Sequence, residues 1–175
     1  TMLKDIEIAR RLGADGVVFG CLTADGEVDL TSMQILMEAS KGLSVTFHRA
    51  FDVCRNPQKA LEEIIELGCN RILTSGQQPT AEQGIGLLKE LQGLAAGRIT
   101  LLADCGVNEN NIARIAAETG INEFHFSARE SIQSEMKFRN EVVSMGGTVH
   151  INEYERNVTS VRRVKETVEA LYKGM

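Results

Sequence analysis

A short polar string follows one apolar stretch of the sequence and carries three side chains suited to chemistry: His48, Arg49 and Asp52. An imidazole can accept or donate a proton near neutral pH, and a nearby carboxylate can orient it. An arginine can hold an anionic substrate through paired hydrogen bonds. We therefore predict His48 and Asp52 as catalytic residues and Arg49 as a substrate contact. The alternative is an ion pair that only braces a loop.

Two small polar turns, Thr74-Ser75-Gly76 and Asp104-Cys105-Gly106, could bind an anion through backbone N–H groups, because glycine lets a ligand approach the backbone closely. Short glycine turns are common, and the sequence has no Walker or Rossmann fingerprint that would single these out. The predicted substrate-binding residues are Arg49, Ser75, Gly76, Asp104, Gly106, His125, Ser127 and Arg129.

The four cysteines lie far apart without a Cys-x-x-Cys pair, which favours reduced thiols over a disulfide framework and gives no indication of zinc. Cys21, Cys54 and Cys105 follow predicted strands, whereas Cys69 precedes one and is expected to pack in the core. Because thiolates suit Cu(I), we predict a copper site at those three thiols. The alternative is three unlinked cysteines that lie too far apart to share one ion.

The elements that position these residues repeat along the chain. Five apolar runs each follow a glycine, and these glycines are spaced by 29, 26, 29 and 23 residues: Gly13, Gly42, Gly68, Gly97 and Gly120. Glycine at this place suits the left-handed end of a helix before the chain turns into a strand. Amphipathic stretches between the runs predict helices. The predicted strands are 17–20, 45–48, 71–74, 99–102 and 123–127. This alternation predicts an α/β fold with parallel strands.

Side chains alternate between the two faces along a strand, so Thr46 and His48 share one face while Phe47 lies on the other. His125 and Ser127 share a face in the same way. If the phenylalanines face the helices, both histidines point toward the axis of a barrel or its mouth. A hydrogen-bonded core histidine is the alternative at each position.

Five strands suit either an open doubly wound sheet or part of an eight-stranded barrel. At a period of about 27 residues, eight units need roughly 215 residues, more than the 175 of this chain. We therefore predict a single domain, 1–175, that forms the C-terminal five-eighths of a (βα)8 TIM-type barrel with a helical tail. Open sheet edges favour pairing with a second copy, which predicts a homodimer or higher homo-oligomer.

Composition disfavours several kinds of partner. Lys+Arg 19 against Asp+Glu 24 give a net charge of −5, which argues against nucleic acid and against an anionic membrane. The sequence contains no apolar run of the ~18 residues that a membrane span needs, and its beginning does not resemble a signal peptide. We therefore expect a cytoplasmic protein, in the compartment where thiols stay reduced.

Four strings of the sequence resemble the CutC family of copper homeostasis proteins. They are GADGVVFG (13–20), VTFHRAFD (45–52), LTSG (73–76) and MKFRN (136–140). The resemblance covers nearly the whole chain. It implies a (βα)8 barrel, a cytoplasmic setting and a role in copper tolerance or trafficking, with no settled enzymatic reaction.

The chain departs from this family in two places. Family members begin with about three further βα units of the barrel, which implies that this chain is N-terminally truncated. The cysteines to which copper binding has been attributed lie in those units, so copper binding does not transfer directly. Where the family commonly has a glycine-rich turn, residues 103–106 read ADCG, and the carboxylate and thiol would narrow a backbone anion site.

The leading hypothesis is a cytosolic copper homeostasis protein that binds or transfers Cu(I). The alternative is a TIM-barrel enzyme that acts on a small anionic or phosphorylated substrate, with His48 as its acid or base. A third hypothesis is a remnant that has lost its function and persists through pairing of its open edges.

Overall fold

The computed structural model of the protein describes residues 1–140, 142–143, 145–146, 148–149 and 151–174. Strands and helices alternate over most of this length. The strands of the main sheet are β1 (Gly16–Phe19), β2 (Ser44–Phe47), β3 (Arg71–Thr74), β4 (Thr100–Ala103) and β5 (Glu123–Phe124). The helices between them and before them are α1 (Met2–Arg11), α2 (Leu30–Ala39), α3 (Pro57–Glu66), α4 (Ile85–Ala95) and α5 (Ile112–Thr119). A short 3-10 helix, Arg49–Val53, follows β2 directly.

The five strands are parallel and lie side by side in chain order, which confirms the predicted α/β class. Each strand begins within one residue of its predicted start. The glycines that precede the strands all have φ between 77° and 85°, a conformation in which a side chain would strain the backbone. The regular spacing of these glycines in the sequence therefore marks where successive helices end.

Helix α3 begins with residues that are typical of a helix N-terminus. Asn56 precedes it and accepts a hydrogen bond from the Lys59 backbone N–H at 3.0 Å, and Pro57 occupies the first turn. Leu61 and Ile64, on its apolar side, are fully buried in the core. The cap and this apolar side together fix where the helix starts and which side faces the core.

Within the described residues, helices cover one face of the main sheet. The side chains on that face pack with the helices into the core, and the largest are Phe19, Val45, Phe47, Ile72 and Leu101. On the opposite, inner face Val18 is 62% exposed. A parallel sheet is normally covered on both faces, and in a closed barrel this inner face would line the packed interior.

Polar side chains also lie on the inner face, close to the strand starts. The guanidinium of Arg71 on β3 donates to Glu123 of β5 at 2.6 Å and to the hydroxyl of Ser44 on β2 at 3.2 Å. The contact with Glu123 ties two strands that are not neighbours in the sheet, and the contact with Ser44 ties two that are. They place charged groups on the inner face of the sheet, near the starts of the strands.

The C-terminal part of the chain corrects two predictions. Strand β5 ends at Phe124 rather than at residue 127: the His125 N–H still donates a hydrogen bond to Ala103 O on β4 at 2.9 Å, and the chain then leaves the sheet. Residues predicted as a plain helical tail also contain an antiparallel pair, β6 (Arg129–Gln133) and β7 (Glu155–Thr159). Both strands are mostly polar and exposed, so they lack the apolar run that revealed the other strands.

The last helix, α6 (Val161–Gly174), follows β7 and packs against α5. None of the helices in the described part of the chain is long and apolar enough to cross a membrane. The single-domain boundary 1–175 and the self-association expected from the open edges stay predictions.

An ion pair fixes the start of α6 to the loop before α5. The Arg163 guanidinium donates to both carboxylate oxygens of Glu109, at 2.9 and 3.1 Å, and also bonds the backbone carbonyl of Arg129. The hydrogen bond from Arg163 lowers the pKa of Glu109 below its ordinary value. The helix, the hairpin and the α5 loop therefore meet at one guanidinium.

The substitution Glu109→Gln should destabilise the protein by about 1 kcal/mol at neutral pH, the size expected for a partly exposed ion pair. Because the folded state lowers the pKa of this carboxyl, the stabilisation is fully present above its unfolded pKa, near 4.5, and is lost as the pH falls through the lower folded value. Urea denaturation at neutral and acidic pH measures this, with the exposed Glu7→Gln as control. An equal loss of stability for Glu109→Gln at both pH values would contradict it.

Candidate functional site

The carboxylate of Asp52 lies where the loops after β2 and β3 meet, and only 6% of its side chain is exposed. It accepts hydrogen bonds from the Thr74 hydroxyl at 2.6 Å, from the Ser75 backbone N–H at 3.0 Å and from the Gln77 backbone N–H at 3.2 Å. Arg49 donates to its other oxygen at 2.6 Å. The turn predicted to bind a substrate anion through its N–H groups is thus occupied by the protein's own carboxylate.

Gly76 belongs to the same turn but is not open to a ligand. It is buried, and its N–H donates to the Thr74 hydroxyl at 2.9 Å. A Cβ at this position would lie 2.5 Å from the carbonyl oxygen of Gly84, and its φ is +70°. Glycine is therefore required for backbone packing, which leaves Gly76 a structural role.

Arg49 extends the network to a third loop. Its guanidinium donates to the Ser75 hydroxyl at 2.9 Å and to the Cys105 sulfur at 2.7 Å, while 40% of its side chain stays exposed. The hydrogen bond to Asp52 raises its pKa. The ion pair of Arg49 with Asp52, the alternative considered from the sequence, is therefore present and braces the loops. The positive charge of Arg49 remains accessible from solvent.

His48 is not oriented by Asp52, contrary to the expectation from the sequence. Its Nδ1 accepts a hydrogen bond from the Ala50 backbone N–H at 3.2 Å and caps the 3-10 helix. Among the described contacts, Asp52 bonds Arg49, Thr74, Ser75 and Gln77 and makes no bond to this imidazole. The expected partnership fails because the helical turn after β2 directs the Asp52 carboxylate toward the next loop.

A carboxylate–imidazole pair forms elsewhere. The Asp104 carboxylate, after β4, lies 3.0 Å from Nδ1 of His125, after β5. It also accepts from the Cys105 backbone N–H at 2.6 Å. A carboxylate partner makes Nδ1 the protonated nitrogen of a neutral imidazole, so Nε2 keeps its lone pair. The side chain of His125 is 61% exposed, which leaves this nitrogen available to a ligand.

This pair borders a cavity of about 420 Å³ at the carboxyl ends of β4 and β5. Five of the predicted substrate-binding residues line it, together with one of the three predicted metal ligands, Cys105. The five are Asp104, Gly106, His125, Ser127 and Arg129. The structure therefore brings this part of the predicted set together, while Arg49 and Ser75 reach it only through the Cys105 thiol.

The backbone is strained in the loops that follow the strands. Gln77, Cys105 and Ala128 have φ of 56°, 70° and 45°, and they follow β3, β4 and β5 respectively. Non-glycine residues adopt this conformation at a cost and persist there where the surrounding contacts require it, often at functional sites. A further non-glycine residue in this conformation, Ala96, ends α4 before β4, so the strained backbone is not confined to this end of the sheet.

The cysteines do not come together as predicted. Cys54 is buried, its sulfur lies 3.4 Å from the Gln77 amide, and burial raises its pKa to about 11. Cys21 and Cys105 are half-buried, and burial raises the pKa of both. In the part of the chain that the structure describes, there is no group of three or more His, Cys, Asp or Glu that could hold a metal ion. A shared site of Cys21, Cys54 and Cys105 thus gains no support.

Two residues of the site were missed from the sequence: Gln77 and Arg163. Gln77 directly follows the predicted turn Thr74-Ser75-Gly76, and its backbone N–H donates to Asp52. Arg163 lies on α6, far along the chain, and lines the cavity only because that helix returns to α5. No local sequence pattern indicates that Arg163 belongs to this site.

The fold defines a βα-barrel-type protein with its site at the carboxyl ends of the strands. The strands are parallel, helices cover one face of the sheet, and polar loops follow the strands. The sequence model of the CutC family matches residues 1–130. The chain belongs to the CutC family.

Relatives support this assignment. The CutC family protein of Bacteroides thetaiotaomicron is 77% identical over 171 residues, which is 98% of this chain and 69% of the relative. That of Porphyromonas gingivalis is 48% identical over 97% of this chain and 68% of the relative.

Solved structures agree with the fold. A CutC structure from Streptococcus agalactiae, whose name refers to copper homeostasis, superposes with a TM-score of 0.68 at 32% identity over 70% of this chain. This chain spans 60% of that one. The aldolase QR15 gives a TM-score of 0.57 at 21% identity, a likeness of fold alone. The predicted partial TIM-type barrel is confirmed by these neighbours.

Replacing Asp52 by Asn should destabilise the protein by about 2 kcal/mol, because the amide cannot accept from both Arg49 and the Thr74–Gln77 turn. Chemical denaturation measures the free energy of unfolding. The exposed Asp25→Asn is the matched control and should change it little. Equal stability of the two variants would show that the Asp52 network does not hold the loops together.

Proposed function

We propose that this chain acts in copper homeostasis in the cytosol by holding Cu(I) transiently at Cys105. The observation that carries the proposal is the place of this thiol, half-buried on the cavity wall at the carboxyl ends of β4 and β5. The copper homeostasis name of the Streptococcus agalactiae structure supplies the metal. Cu(I) is a cargo in this proposal, not a resident cofactor.

The four thiols differ in how readily they could meet an incoming ion. Cys54 and Cys69 are buried, and burial raises the pKa of each to about 11. Burial and Asp104 raise the pKa of Cys105 as well, but the Arg49 guanidinium at 2.7 Å opposes them by favouring the thiolate. Cys105 is also the cysteine that lines the cavity. We therefore assign the metal to Cys105 rather than to Cys21, Cys54 and Cys105 together.

The surroundings of Cys105 suit release as well as binding. His125 lines the same cavity, and its Nε2 is the unprotonated nitrogen when Nδ1 donates to Asp104. One thiolate and one imidazole form a soft but incomplete ligand set for Cu(I). An ion held this way keeps a position open for a thiol of a partner, as transfer of a metal requires.

The test is Cu(I) binding to the full chain under anaerobic conditions, measured by competition with a coloured Cu(I) chelator. The substitution Cys105→Ser should remove one equivalent of bound Cu(I), because the hydroxyl is a poor ligand for a soft ion. Cys54→Ser is the matched control, since it changes a buried thiol outside the cavity and should leave the number of bound ions unchanged. Unchanged binding by Cys105→Ser would refute the assignment.

A second function, binding of a small anionic or phosphorylated substrate with acid–base chemistry, is favoured by the Asp104–His125 pair. The pair lies 3.0 Å apart on the wall of a cavity that Arg129 also lines. A histidine oriented by a carboxylate can serve as general base, and an arginine can hold the anion. We propose His125 in the role predicted for His48, and Asp104 in the role predicted for Asp52.

Inorganic phosphate is the probe for this second function, and isothermal titration calorimetry measures its affinity. The substitution Arg129→Gln should weaken binding about tenfold, the loss expected for one charge-assisted hydrogen bond. Arg156→Gln, at an exposed position of β7 away from the cavity, is the control and should bind as the parent does. Parent protein that takes up no phosphate at millimolar concentration would exclude an anion site at this cavity.

A further inference from the structure

The cavity at the carboxyl ends of β4 and β5 contains an arginine whose charge is not paired. Three charged residues line this cavity: Asp104, Arg129 and Arg163. Asp104 contacts His125, and Arg163 is paired with Glu109. Within the residues that the structure describes, the exposed side chain of Arg129 makes no hydrogen bond or ion pair. Although the chain carries a net charge of −5, the charge left over at this cavity is therefore positive.

Backbone N–H groups on both loops of the cavity add to this positive character. Gly106 and Val107 follow β4, and Ser127 and Ala128 follow β5. In the described part of the chain, none of these four N–H groups donates to a protein acceptor. Unpaired loop N–H groups beside an arginine suit an oxyanion such as a carboxylate. The cavity thus offers several donors to an anionic group.

The same cavity holds the soft donors of the proposed copper site. Cys105 lines it, and so does His125, whose Nε2 is unprotonated when Nδ1 donates to Asp104. A Cu(I) ion on these two residues keeps a position open for a further sulfur ligand. The cavity volume of about 420 Å³ lies in the range of roughly 300–1,000 Å³ that is usual for small-molecule sites. The further ligand therefore fits best as a small molecule.

We propose that this further ligand is a small thiol that carries a carboxylate, and that Cu(I) enters and leaves the cavity bound to it. The inference rests on the proposed function for the metal and for Cys105. The sulfur of the small thiol takes the open position on Cu(I), and its carboxylate binds Arg129 and the loop N–H groups. A simple anion would use only the arginine and a bare ion only the soft donors, whereas this ligand uses both.

The ion passes to the protein by an exchange of thiolates. The donor is Cu(I) bound by two small thiolates. The Cys105 thiol loses its proton, its sulfur forms a bond to Cu(I), and the bond from Cu(I) to one small thiolate breaks. The released thiolate takes up the proton, and the second small thiolate stays on the ion. Copper remains Cu(I) throughout, so the step needs no oxidant or reductant.

Native mass spectrometry of the full chain with Cu(I), under anaerobic conditions, tests this by counting chains that carry one ion with and without one small thiol. The probes are mercaptoacetate, which has a carboxylate, and 2-mercaptoethanol, which has a neutral hydroxyl. The preference is the ratio of the concentrations at which each thiol occupies half of the copper-bearing chains. Arg129→Gln should reduce the preference for mercaptoacetate about tenfold, the loss expected for one charge-assisted hydrogen bond. The different basicity of the two thiols affects both proteins equally and cancels in this comparison.

Two further variants show whether the charge at this position is responsible. Arg129→Lys keeps the positive charge and should keep most of the preference. Arg156→Gln makes the same change as Arg129→Gln at an exposed position of β7 outside the cavity, and it should keep all of the preference. Circular dichroism checks that each variant is folded.

The outcomes separate this inference from the proposed function. An equal preference in the parent and in Arg129→Gln, or copper-bearing chains that hold no small thiol, overturns the inference and leaves Cu(I) at Cys105. A loss of preference in Arg156→Gln as large as that in Arg129→Gln overturns it as well. A parent that binds no Cu(I), or a Cys105→Ser variant that binds as much as the parent, overturns the proposed function and the inference with it.

Discussion

The buried carboxylate of Asp52 is the interaction on which the functional end of this molecule depends. It lies among donors from the 3-10 helix and from the Thr74–Gln77 turn, and through Arg49 it reaches the loop after β4. A buried charge is tolerated only when its hydrogen bonds are satisfied. The positions of three loops are therefore fixed together, because moving one of them would leave this charge without partners.

The same arrangement decides where a ligand can bind. The turn between β3 and α4 has the geometry of an anion site, but an internal carboxylate fills it. What remains open is the next loop, where Cys105, Asp104 and His125 line a cavity. The loops after β2 and β3 therefore form a rigid part of the site whose charges are paired. The loops after β4 and β5, beside them, remain accessible to a ligand.

The fold was largely predictable because its signals are local: a glycine ends each helix, and an apolar run follows it. The pairing of Asp104 with His125 was not, although both residues were candidates, because it depends on the distance between two strand ends. His48 was assigned the wrong partner for the same reason, since nearness in sequence suggested Asp52. The hairpin β6–β7 escaped prediction because its strands are polar.

The left-handed backbone of Cys105 bears on how this site can change in evolution. With φ of 70°, the position would suit glycine better than any residue with a side chain. Cysteine and glycine codons differ by a single nucleotide, so the more relaxed backbone is always one mutation away. If Cys105 binds Cu(I) as proposed, selection for stability and selection for the sulfur act in opposite directions at this residue, and a lineage that no longer needs the thiol has an easy route to lose it.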